Sequence, residues 1–109
     1  MSSPNLTFDA EGLAHLVFDA PDRPVNVLED QVLARLEKLL IELKGDCEAG
    51  RVRGLLIRSA KPSSFVVGAD VDAIAGIDTP EGGEAAARFG QRVFLALSRL
   101  PIPTVAAIH

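Results

Sequence analysis

At 109 residues, 48% of them hydrophobic and 24% charged, the chain holds at most one small domain or part of a larger one and has the balance of a globular protein rather than a disordered tail. A net charge of −4, with the basic residues scattered among acids, argues against a nucleic-acid-binding surface, because neutralising phosphates takes clustered Lys and Arg. The single cysteine, Cys47, has no internal disulfide partner; the start Met1-Ser2-Ser3-Pro4-Asn5 lacks a basic and an apolar targeting region; and no apolar run approaches the ~20 residues of a membrane span, so the expected setting is the cytoplasm or an organelle matrix.

Residues 5–10 and 13–18 read as two strands, with Leu6, Phe8, Leu13, Leu16 and Phe18 at the apolar positions and Glu11-Gly12 between them as a hairpin turn. Pro21-Asp22-Arg23-Pro24 then interrupts the pattern, since neither proline can donate to a ladder. From Glu29 to Lys44 the period becomes helical: Val32, Leu33, Leu36, Leu39, Leu40 and Leu43 share one face, and Gly45 offers a C-terminal stop. Residues 53–59 read as a strand buried on both faces, which after a helix suggests a crossover and parallel pairing. Phe65-Val66-Val67 is a short, buried extended run leading into Gly68-Ala69-Asp70. Asp70 is placed to cap a short helix through Ala75, ended by Gly76. Thr79-Pro80 opens a further helix with Ala86, Phe89, Val93, Leu97 and Leu100 on its apolar face. Residues 104–108 form a last apolar strand. The order β-β-α-β-α-β places the fold in the mixed α/β class.

A final strand this apolar is expected at the centre of a sheet, with neighbours on both edges. The chain ends with no turn, cap or polar tail after it, so the expectation is a truncated chain; the alternative is a short strand paired against residues 53–59.

The chemistry is sought where the extended run meets the short helix. Glycine at position 68 permits a sharp turn and the close approach of a ligand. The N–H of Ala69 at a strand-to-helix turn can point at a developing negative charge, which is the local geometry of one oxyanion-hole donor. The same residues also describe a tight turn capped by Asp70, with no function beyond that.

A wider set of residues resembles the crotonase superfamily, the enoyl-CoA hydratase/isomerase family. It comprises Pro24-Val25-Asn26-Val27-Leu28, Ser59-Ala60-Lys61-Pro62, residues 65–71 and residues 100–108, in the family's order, and it covers nearly the whole chain from about residue 5. The details look most like the hydratase/isomerase part of the multifunctional fatty-acid oxidation alpha subunits. The resemblance implies that residues 1–109 are the N-terminal half of a crotonase-like ββα spiral fold, incomplete at the C-terminal end. It implies that the Ala69 N–H is one of two donors to a thioester carbonyl oxygen. It also implies that Val67 and Gly68 line the coenzyme A site, that Asp70 and Val71 start the helix bordering the acyl pocket, and that Val25 and Ala60 lie along the pantetheine and nucleotide path. The partner so implied is an acyl-CoA or enoyl-CoA, with the thioester as substrate and no cofactor, in a homo-oligomer or multifunctional complex. The second donor and the acid–base glutamates would lie beyond His109. Asp72 stands where many members carry a basic or neutral residue near the coenzyme A phosphates, which weakens ligand contacts there.

Other residues carry less. His15 reads as structural, His109 has no evident partner, and the acids beside Cys47 disfavour a thiolate. Glu81 and Glu84 suit the first turn of a helix, and no Cys/His spacing supports a metal site. A small non-catalytic α/β module that binds acyl-CoA or a protein partner is the competing reading.

Overall fold

A computed structural model describes residues 3–109; Met1 and Ser2, part of the polar start searched for targeting signals, lie outside the described residues. Strands β1 (Asn5–Phe8), β2 (Leu13–Phe18), β3 (Gly54–Ser59) and β4 (Thr104–Ala106) form one sheet in chain order. Between them run helices α1 (Asp30–Glu48), α2 (Val71–Ala75) and α3 (Pro80–Ser98). β1 pairs antiparallel with β2, whereas β2–β3 and β3–β4 are parallel, as crossovers through helices require. The mixed α/β reading therefore holds.

The period of two in the strands decides which face is covered. Ala14, Leu16 and Phe18 of β2 lie in register with Leu55, Ile57 and Ser59 of β3, and all six are buried. Against that face packs the leucine stripe of α1, Leu33, Leu36, Leu39, Leu40 and Leu43. Each such leucine stabilises the fold by about 1.5–3 kcal/mol through area removed from water. The other face carries Leu13, His15, Val17, Leu56 and Arg58, which are half-buried, so β3 is covered fully on one face rather than both. α3 lies against α1, with Val93 in the core and Phe89, Ala96 and Leu97 packed partly against it. Glu37 of α1 receives two hydrogen bonds from Arg92 of α3, at 2.7 and 3.2 Å.

Four points differ from the sequence reading. β1 stops at Phe8 because Asp9 turns the chain: its carboxylate accepts from the N–H groups of Glu11 and Leu13, at 2.8 and 3.1 Å, making the loop four residues rather than two. α1 passes through Gly45 to Glu48, since its leucine stripe continues to hold it down. The stop is Gly50, at φ +74°, where its N–H bonds Cys47 O and the N–H of Arg51 bonds Asp46 O, a Schellman closure that only a left-handed residue allows. The extended run of residues 65–67 is less buried than read: Phe65 and Val66 are half-buried and Val67 is exposed. β4 is shorter than residues 104–108; it pairs with β3, as the alternative reading of the last strand had it, and is exposed throughout at the edge of the sheet.

Candidate functional site

Three loops converge at the carboxyl ends of the parallel strands β2 and β3, where open α/β sheets commonly bind ligands. They are residues 19–28 after β2, residues 60–62 after β3, and residues 65–70. Asn26 joins them. Its side-chain amide donates to Phe65 O at 2.8 Å, to Ser59 Oγ at 2.9 Å and to Phe18 O at 3.2 Å, and its Oδ1 accepts from Ala20 N at 2.9 Å. The main chain continues the seam: Val67 N donates to Asn26 O at 2.9 Å, Leu28 N to Gly68 O at 2.8 Å, and Leu28 forms a parallel bridge with Ala69.

Gly68 has φ +120°, a conformation L side chains rarely adopt. A Cβ there would meet nothing within 4 Å, so the backbone angle and not crowding calls for glycine. Ala69 follows, exposed, and among the described residues its N–H donates no hydrogen bond. Asp70 caps α2 as read from the sequence, its Oδ1 accepting from Asp72 N at 3.0 Å and Ala73 N at 3.4 Å. That carboxylate occupies two of the donors at the start of α2 and adds negative charge there. Among the described residues the Ala69 amide is left open at the turn, as are those of Gly68, Asp70 and Val71, and the capping carboxylate offsets the positive potential of the helix start.

Beside this turn lies a cavity of about 360 Å³ with an apolar lining that includes Leu28, Phe65, Val66, Gly68, Phe94 and Leu97. A second cleft of about 380 Å³, bordered by Arg23, Glu29 and Arg35, shares no residue with the turn. Its cations are already engaged: Arg23 with Glu29 at 2.8 Å, and Arg35 with Pro4 O at 2.6 Å and Asn5 Oδ1 at 3.2 Å.

The residues singled out from the sequence thus fall on neighbouring segments. Val25 is half-buried and precedes Asn26; Ala60 is exposed and donates to Phe18 O at 3.0 Å; Val67, Gly68, Ala69 and Val71 are exposed and Asp70 half-buried. Asp72 is exposed in the first turn of α2. Lys61 had no individual role in the sequence reading, yet it belongs to the cluster. Its ammonium reaches Ala20 O at 2.7 Å and Asp19 at 3.0 Å, and its N–H bonds Ser59 Oγ at 3.0 Å. Asn26 was likewise only part of a motif; the signal for it was one amide inside the apolar run Val25-Asn26-Val27-Leu28.

The remaining candidates have local partners. His15 Nε2 lies 2.9 Å from Asp9 Oδ2 across the hairpin, and His109 Nε2 lies 2.9 Å from Lys61 O. Burial, then the charges of Asp46 and Glu48, push the Cys47 thiol above its ordinary pKa, which disfavours the thiolate. Glu84 pairs with Arg88 one turn on. Among the described residues no group of three or more His, Cys, Asp or Glu is placed to hold a metal, and no helix is long and apolar enough to cross a membrane.

Comparison with known proteins agrees with this architecture. The chain is 38% identical over 105 residues to the fatty acid oxidation complex subunit alpha of Vibrio vulnificus, a match that takes in 96% of this chain and 14% of that protein. A crystal structure of an enoyl-CoA hydratase from Mycobacterium smegmatis superposes with a TM-score of 0.86 at 25% identity, covering 100% of this chain and 40% of the other. An enoyl-CoA hydratase/carnitine racemase structure from Magnetospirillum magneticum, 21% identical, has the same fold with a TM-score of 0.86 over 99% of this chain and 39% of its own. No family model matches the chain. The chain therefore spans about a seventh of the length of that curated relative and about two-fifths of the solved structures it resembles.

Proposed function

We propose, for a chain that has the crotonase fold and is homologous over nearly its whole length to fatty acid oxidation complex alpha subunits, that it forms the acyl-CoA-binding part of an enoyl-CoA hydratase/isomerase of fatty-acid oxidation. In this reading the Ala69 N–H is a donor to the thioester carbonyl oxygen, and Val25, Ala60, Val67, Gly68, Asp70 and Val71 flank the coenzyme A and acyl path. One observation carries it: an exposed amide with no acceptor among the described residues, at a turn set by Gly68, beside an apolar cavity.

The chemistry follows from that amide. Adding water to an α,β-unsaturated thioester, or moving its double bond, passes through an enolate-like state in which negative charge grows on the thioester oxygen. A donor held in place strengthens its bond as that charge develops, so it lowers the barrier more than it stabilises the ground state. One such donor contributes ~2.7–4 kcal/mol in acyl-transfer enzymes. The apolar lining of the neighbouring cavity suits a hydrocarbon tail. This reading assigns one donor and no acid–base carboxylate to the chain, so the 109 residues by themselves are expected to bind without turnover. A cytoplasmic setting fits the lone, unpaired Cys47.

The test is a titration of the 15N-labelled chain followed by amide resonances. Crotonyl-CoA should move the Ala69 resonance downfield, and free coenzyme A, which lacks the thioester carbonyl, should leave it in place. An Ala69 resonance that ignores crotonyl-CoA while the ligand binds elsewhere removes this amide from the function. Replacing Ala69 with proline, which deletes the N–H, should weaken crotonyl-CoA binding by roughly 2- to 10-fold, the worth of one neutral hydrogen bond.

A further inference from the structure

We infer that Asn26 is a positioning residue for the Ala69 amide, an inference that rests on reading Ala69 as the thioester donor. Asn26 is 2% exposed, yet both polar atoms of its side chain are engaged. Phe18 O and Phe65 O can only accept and Ala20 N can only donate, so the orientation of the amide is forced. Its two N–H bonds serve three oxygens, the longest contact being that to Phe18 O at 3.2 Å. The side chain thereby ties the ends of β2 and β3 to Phe65.

The same residue grips the loop a second time through its backbone. Val67 N donates to Asn26 O, and two residues on Leu28 N holds Gly68 O. Phe65, Val67 and Gly68 are thus each bonded to residues 26–28, and the amide of Ala69, next in the chain, donates to no acceptor among the described residues. The direction of the Ala69 N–H is set by the peptide plane between Gly68 and Ala69, and Gly68 O, in that plane, is fixed by Leu28. The side chain fixes where this seam stands relative to the sheet. Among side chains, a primary amide on a one-carbon stem donates twice and accepts once at this reach. Aspartate loses the donors, leucine loses both functions, and glutamine is one methylene too long for a closed site.

The role predicts a coupling that ordinary packing would not produce. In the unmodified chain the Asn26 side-chain N–H protons should exchange with solvent through the same opening as the Val67 and Leu28 amides, so their protection should agree within about threefold. In Asn26→Leu, which keeps the volume and drops the hydrogen bonds, Val67 and Leu28 should exchange at least about tenfold faster. The crotonyl-CoA-induced shift of Ala69 should then be lost, while the amides of Leu36 and Leu43 keep their positions and protection. Asn26 side-chain protons that exchange far faster than Val67 in the unmodified chain overturn the inference without any variant. An Asn26→Leu chain whose Ala69 still responds in full overturns it as well. If Ala69 of the unmodified chain ignores crotonyl-CoA, the donor reading itself falls and takes the functional claim for Asn26 with it. The exchange measurement then reports separately on whether Asn26 holds the loop.

Discussion

α1 and α3 are each 19 residues long and both carry an apolar stripe, yet α1 buries five leucines and α3 a single valine. The difference lies in what each helix meets. α1 lies across the inward residues of β2 and β3, so Leu36 is only 2% exposed. α3 leans on α1 and leaves Phe94 and Leu95 at 47% and 45% exposure, and α2 and β4 bury nothing. Helical periodicity identifies a face that seeks cover; it says nothing about whether cover is present. Stability should accordingly be concentrated in β2, α1 and β3, with α2 and α3 opening more readily. The loop of residues 65–69 sits at the border. Asn26 and Leu28 hold it to the well-packed region, and the unburied α2 follows it.

The largest expected effect tests this contrast directly. Leu36→Ala should cost about 2–5 kcal/mol in urea unfolding, since it opens a cavity between helix and sheet. Leu95→Ala, on the exposed side of α3, should change stability by no more than about 0.5 kcal/mol. Equal costs would mean that the two helices are held alike, and the comparison would fail.

A smaller effect sharpens the description of how α1 ends. Gly50→Ala should destabilise by about 1–2 kcal/mol, because φ +74° puts a Cβ against the following carbonyl. Gly45→Ala should stabilise by about 0.5–1 kcal/mol, since the position is helical and a Cβ there meets nothing within 4 Å. Opposite signs from two neighbouring glycines, read by thermal unfolding, would locate the helix end at Gly50.

The smallest effect concerns the hairpin. The hydrogen bond from His15, then the Leu13 N–H, lower the Asp9 pKa below its ordinary value. A carboxylate depressed in the folded state adds stability above the unfolded value of about 4 and loses it as pH falls through the lower folded value. The Asp9 carboxyl carbon should therefore titrate below an ordinary aspartate, and Asp9→Asn should remove that acid-side loss from the hairpin. A midpoint at or above the ordinary value would show that His15 and the turn do not hold the carboxylate.

Much of the fold was legible because its signals are local. The stripe from Val32 to Leu43, the Asp70 and Thr79 caps and the proline at position 80 each act within a few residues, and each element formed where these placed it. Errors came where a distant group outweighed a local one. Gly45 reads as a stop, but burial of Leu43 and its neighbours outweighs the roughly 1 kcal/mol a mid-helix glycine costs. Phe65-Val66-Val67 reads as a buried run, yet Val67 is exposed, its N–H bonded to Asn26 O in a loop.

At the site the division is similar. Gly68-Ala69-Asp70 announced a turn and a cap through the conformational freedom of glycine and the short acceptor of aspartate. Nothing in the linear order announced that Asn26 would bond Ser59, thirty-three residues on, and Phe65, thirty-nine residues on. The sequence by itself determined the elements, the N-caps of α2 and α3 and the turn that presents the Ala69 amide, because propensity and side-chain capping are settled between near neighbours. Only the tertiary structure decided which helix is covered and what holds that amide in place. Burial and the pairing of buried polar groups depend on which distant segments the sheet brings side by side.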